Sequence, residues 1–266
     1  MAFVTPPGAT LIRELGSGST FEVAWVCIGH DEALCKRVAL RSSSADLGLK
    51  ALQREATVLE HLTHPAVPKL LERGEDHRGP FLLQSPIAGR SIRHWVDDGN
   101  RLATAAVRTA FSHLGDLHER GFSHGDIGPD HVLVDGERVG FVDFGQARWR
   151  GFEGAAGERG TLPYVAPELA RGECAPDAAC DTFALAATFA FFILGRAPCK
   201  NDAAGMLLEA AEVGVERQAI ALCDRPAGKL PPTVTAVLMD ALQFDRKQRL
   251  TDAGAVARAL DDAMHE

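Results

Sequence analysis

The spacing of apolar residues changes character near residue 86, and this change constrains the fold more than any other feature of the chain. Before it, turn signals alternate with short β-prone runs at Phe21 to Ile28, Arg37 to Leu40, Val67 to Leu71 and Pro80 to Leu83. Branched and aromatic residues at this density suit a pleated, half-buried surface. One helical pattern interrupts them: Leu49, Leu52, Ala56, Leu59 and Leu62 recur at steps of three and four, and Pro65 stops the helix. After the punctuated stretch 86–89, helical spacing dominates, at 101–120, 180–194, 201–213, 231–243 and 252–264. Two short strands, 132–134 and 139–142, flank an Asp135-Gly136 turn and read as a hairpin. The expected class is α+β. A small antiparallel β-sheet lobe with one helix spans about 11–85, a hinge about 84–89, and a larger, mainly helical lobe about 90–262.

Composition excludes several classes. With 46% hydrophobic and 24% charged residues among 266, the balance is that of an ordinary globular protein and not of a disordered one. The richest apolar stretch, Phe183 to Leu194, falls well short of the roughly 20 residues a membrane-spanning helix needs. The first residues lack a basic region followed by an apolar one, so the expected location is cytoplasmic, with no membrane span. A net charge of −8 repels a phosphate backbone, so no nucleic-acid partner is expected. The six cysteines include no CxxC pair and are expected to be plain thiols.

Leu15-Gly16-Ser17-Gly18-Ser19-Thr20-Phe21-Glu22-Val23 lies between two expected strands. Glycines there let a backbone approach phosphates without an intervening Cβ. The next strand carries Val38-Ala39-Leu40-Arg41, and Glu55 follows on the helix. Further on, Ser123-His124-Gly125-Asp126 leads to Leu133, and Asp143-Phe144-Gly145 starts 17 residues after Asp126. Gly160-Thr161 and Ala166-Pro167-Glu168 complete the series. In this combination the chain resembles the eukaryotic-like Ser/Thr protein kinases, over about residues 11–262.

The resemblance implies a bilobal protein-kinase-like fold that binds ATP and transfers its γ-phosphate to protein Ser or Thr. Gly16 and Gly18 would cover the phosphates. Val23, Ala39 and Leu133 would sandwich the adenine, whose edge would meet the carbonyl of Ser85 and the amide of Ile87. Asp126 would accept the substrate hydroxyl's proton, Thr161 would order Asp126, and Asp143 would hold Mg2+, with Mn2+ as the alternative ion. Asp126 and Asp143 are expected to converge. Asp181 is expected to hold the catalytic-loop backbone, and Arg249 to pair with Glu168.

Several positions depart from the family pattern. Phe21 stands for the third glycine, Gly128 for the loop lysine, and His131 for the asparagine that binds a second metal. Imidazole suits softer ions than magnesium, so His131 is either an unusual metal ligand or a residue that hydrogen-bonds within its loop. Arg41 is read at the position of the phosphate-holding lysine, paired with Glu55. Lys36, five residues earlier, is expected to face away. Residues 146–159 contain no Ser, Thr or Tyr, and Gly125 replaces an arginine that would receive a phosphate, so no phosphorylation switch is expected there. The alternatives are therefore a degenerate pseudokinase acting as a regulatory or scaffold module for a protein partner, and, as a minor reading, a small-molecule phosphotransferase. Nothing in the sequence sets the oligomeric state.

Overall fold

A computed structural model describes residues 3–17, 20–39, 45–152, 160–161, 163–196 and 230–265. The chain divides into two compact units. One contains residues 1–87 with 141–145, the other 88–140 with 146–266. The return of 141–145 to the first unit carries Asp143 with it, although the hydrophobic pattern grouped those residues with the helical part.

The first unit is a five-stranded antiparallel sheet with one helix. Its strands are β1 (Ala9–Ser17), β2 (Phe21–Ile28), β3 (Asp31–Val38), β4 (Leu70–Asp76) and β5 (Gly79–Gln84), in the order β1-β2-β3-β5-β4. Alternation gives the sheet two faces. Ala24, Val26, Ala33, Cys35, Phe81 and Leu83 form one buried cluster, against which Phe3 packs. The opposite side chains include Val23, Lys36 and Leu82, which lie directly across from one another in the ladder. Helix α1 (Ala45–His61) buries Leu52, Glu55, Ala56, Val58 and Leu59. Gly48 lets its first turn close on Val38, where an added Cβ would stand 3.0 Å from a Val38 methyl.

Two boundaries differ from the sequence reading. The third strand runs Asp31–Val38 and not from Arg37 to Leu40, and the fourth begins at Leu70 and not at Val67. In the first case Gly29 in the left-handed region (φ 64) turns the chain straight into β3, so Asp31 and Glu32 sit in the ladder despite their low β-propensity.

The second unit contains the short strands β6 (Arg90–Ser91), β7 (Phe122–Ser123), β8 (Val132–Asp135), β9 (Arg138–Phe141) and β10 (Arg148–Trp149). Its helices are α2 (Ile92–Asp97), α3 (Thr104–Glu119), α4 (Pro167–Ala170), α5 (Ala178–Leu194), α6 (Pro232–Ala241) and α7 (Ala253–His265). Helix α5 is buried around almost its whole circumference, which explains its unbroken apolar run. Asp177 caps its start by accepting the Cys180 amide, and Gly195 (φ 68) ends it. No helix among the described residues is long and apolar enough to cross a membrane. The helix expected at 201–213 lies outside the described residues.

Candidate active site

In the first unit the chemistry gathers on the Lys36 face of the sheet. Lys36 Nζ donates to Glu55 Oε2 at 2.7 Å and to Asp143 Oδ1 at 2.8 Å. Glu55 is fully buried and Lys36 nearly so, while the Asp143 side chain keeps 34% of its surface. Burial works against the ammonium, but the two carboxylates outweigh it and hold Lys36 protonated well above its ordinary value. Burial also pushes the Glu55 carboxyl up; Lys36 opposes this and the charge on Asp143 adds to it. Both directions follow from one cation shared by two anions in a dry setting.

This arrangement corrects the expected orientation of Lys36. Parity along a strand does put residues five apart on opposite faces. The anchor was misplaced, because the face turned toward α1 belongs to Lys36. Arg41 itself lies outside the described residues, as does Gly18. Ala39 lies beyond the end of β3 and donates its amide to the Thr20 carbonyl at 2.9 Å. On the corrected frame Leu34, two residues before Lys36, shares its face beside Val23. Gly16 pairs with Val23 in the β1–β2 ladder.

The ring of Phe21, which stands for the third glycine, lies under the Lys36 ammonium at 4.3 Å from its centroid. Ser85 donates its amide to the Lys69 carbonyl at 2.8 Å and accepts the Lys69 amide on Oγ at 2.9 Å, which fixes the segment that follows β5 and leaves the unit at Ile87. Asp143 has φ 67, the one non-glycine positive φ among the described residues. Such backbone costs about 1–3 kcal/mol and persists where the surroundings enforce it.

In the second unit the chemistry gathers around Asp126. Asp181 holds the loop before it, accepting the His124 amide at 2.6 Å and the Gly125 amide at 2.9 Å. Thr161 Oγ1 donates to Asp126 Oδ1 at 2.7 Å. Gln146 Nε2 donates to Asp126 Oδ2 at 3.3 Å, and Gln146 Oε1 accepts the Gly160 amide at 3.2 Å. His131 Nδ1 lies 2.7 Å from the Asp126 carbonyl and donates to it, 3.8 Å from Asp126 Oδ2. That nitrogen therefore serves the loop. Leu133 sits in β8 opposite Ser91.

Below the loop, Arg249 grips Glu168 with two bonds of 2.6 and 2.8 Å and stacks 4.9 Å from the Phe183 ring. Further bonds run from its Nε to the Gln243 carbonyl and from its second terminal nitrogen to the Phe244 carbonyl. Gln146 was not singled out from the sequence. No spacing rule marks a side chain that bonds 20 residues away, and only its place next to Asp143-Phe144-Gly145 hinted at it.

The sequence profile of the protein kinase domain matches residues 9–262. The chain belongs to the protein kinase domain family. Among its relatives is the serine/threonine-protein kinase PknD of Mycobacterium tuberculosis, 29% identical over 264 residues, a match covering 96% of this chain and 39% of PknD. The serine/threonine-protein kinase pkn2 of Myxococcus xanthus is 27% identical over 272 residues, covering 94% of this chain and 32% of pkn2. PknB of Mycolicibacterium smegmatis is 29% identical over 207 residues, covering 71% and 32%. The chain spans about two-fifths or less of the length of these relatives. Protein kinases in general use ATP and divalent metal ions, and two features of this member fit them. Lys36 is a buried cation between two acids, and Asp143 is a partly exposed hard-oxygen donor of the kind magnesium takes. His131 brings nitrogen where a second hard-oxygen donor is expected, and so fits a second magnesium poorly.

Proposed function

We propose that the chain is an ATP-dependent protein Ser/Thr kinase domain, acting in the cytoplasm on protein substrates. The observation that carries this reading is the Lys36 ammonium held between Glu55 and Asp143 at 2.7 and 2.8 Å. The contact supports reading Lys36 and Glu55 as the family's lysine–glutamate pair, on a lysine other than the one suggested by Val38-Ala39-Leu40-Arg41. In this role Lys36 takes the α- and β-phosphates, and Glu55 keeps the lysine from swinging away. Val23 and Leu34 offer apolar surface to the base, and Ser85 and Ile87 its hydrogen-bonding edge. Asp143 would hold a magnesium ion, which when bound would supply charge neutralisation at the phosphates.

Asp126 receives the proton of the acceptor hydroxyl, and Thr161 and Gln146 keep its two oxygens aimed. The Glu168–Arg249 clamp, with Gly160-Thr161 shortly before it in the sequence, favours a protein acceptor over a small molecule. The test uses labelled ATP, generic protein substrates, and magnesium or manganese. Transfer that an Asp126→Asn control lacks supports the reading; equal signal from both rejects it.

A second reading, a catalytically silent module that binds a regulatory partner, is favoured by one observation. The Phe21 ring covers the ammonium that a nucleotide needs. Tight nucleotide binding by the wild type, with turnover abolished by Asp126→Asn, removes it.

A further inference from the structure

We infer that Gln146 is a positioning residue that clamps Asp126 to the end of the activation segment, in place of both the missing loop lysine and a phosphorylation switch. The inference rests on the kinase reading of Asp126. It starts from two vacancies in the sequence. Gly128 has no side chain to offer Asp126, and residues 146–159 offer no hydroxyl to phosphorylate. With no arginine at 125 either, the family's charged donor at 128 and its phosphate receptor at 125 are both absent from the sequence.

The Gln146 amide bonds in both directions at once. Its Nε2 donates to Asp126 Oδ2 at 3.3 Å, and its Oε1 accepts the Gly160 amide at 3.2 Å. Thr161, the next residue, donates to Asp126 Oδ1 at 2.7 Å. Both carboxylate oxygens therefore receive neutral donors, and both donors are tied to the same stretch of backbone. A primary amide has a donor and an acceptor fixed on one plane, as this double contact requires.

A second observation shows that the loop is built around this contact. Gly125 has φ 78, and a Cβ there would lie 2.3 Å from the Gln146 carbonyl oxygen. A Cβ at Gly160 (φ 69) would lie 2.9 Å from the Gly125 carbonyl. The two glycines let the three segments close on one another. An arginine at 125 would force Gln146 away from Asp126, so the loss of the phosphate receptor and the gain of the amide clamp go together.

The test compares Gln146→Leu, which removes both bonds, with Gln146→Glu. The latter keeps an acceptor for the Gly160 amide but sets a carboxylate against Asp126. Both should lower kcat for peptide phosphorylation by about tenfold, the scale of one hydrogen bond to a charged group, with KM for ATP unchanged within about twofold. Exchange of the Gly160 amide proton, followed by NMR, should speed up about tenfold in Gln146→Leu and much less in Gln146→Glu. Wild-type kcat in either variant overturns the inference, as does unchanged Gly160 exchange in Gln146→Leu. If the wild type transfers no phosphate, the kinase reading fails, and the exchange measurement still decides whether the clamp exists.

Discussion

The two functional clusters are built by opposite means. In the first unit, Lys36 and Glu55 are buried formal charges and Asp143 a partly exposed one, matched at 2.7–2.8 Å. In the second, the donors among the described residues that reach the Asp126 side chain are the Thr161 hydroxyl and the Gln146 amide, both neutral. The difference follows from what each must hold. On the proposed kinase reading, a polyphosphate and its metal would demand fixed charge in a low-dielectric setting, where each charge counts most. On the same reading Asp126, as proton acceptor, would have to be aimed without being neutralised, and neutral hydrogen bonds aim it at little electrostatic cost.

The most severe way to break this contrast is Glu55→Ala. With Glu55 gone, the buried Lys36 keeps only the partly exposed Asp143, and stability should fall by about 3 kcal/mol in denaturant titration. A loss under about 1 kcal/mol would mean that the cluster is not the buried charge centre described here. Thr161→Val probes the neutral side. It should reduce kcat about tenfold while costing stability only about 1 kcal/mol, because one neutral donor is lost. Equal losses of stability in the two variants would erase the distinction.

Gly128→Lys sharpens the comparison by adding charge to the neutral cluster. An added Cβ at this position meets only a Tyr164 ring atom at 3.7 Å, so there is room. A several-fold rise in transfer is expected, and a fall would mean that the amide clamp excludes a cation.

The smallest effect is on pH dependence. Arg37 bonds both oxygens of Asp76, at 3.0 and 2.5 Å, and this bonding holds the Asp76 carboxyl below its ordinary value. Its contribution is complete above the unfolded value of about 3.9 and is lost as pH falls through the lower folded value. Asp76→Asn should therefore flatten the acid limb of the stability curve below about pH 4, while Thr161→Val should leave that limb's shape unchanged.

What could be read from the sequence followed the same division. Asp126 and Asp143 sit in local motifs, and Glu55, Asp181 and Arg249 at family spacings, so each is legible in the sequence. The α+β class and most helices followed from apolar period alone. Lys36 was missed because Val38-Ala39-Leu40-Arg41 imitates a strand ending in a cation, while the true strand opens with Asp31-Glu32, residues that rarely start one. The alternation of Ala33, Cys35 and Arg37 against Leu34, Lys36 and Val38 was the available signal. Gln146 left no signal of this kind, since its role arises from two bonds made across the chain and from a glycine at 125 whose reason is steric.

The account turns on which cation serves the nucleotide. Phosphotransfer from labelled ATP by Lys36→Met and Arg41→Met, assayed side by side with the wild type, tests it most directly. Loss of about a hundredfold or more in Lys36→Met, with Arg41→Met close to wild type, is the expected result. Full activity in Lys36→Met, or a collapse confined to Arg41→Met, would contradict it.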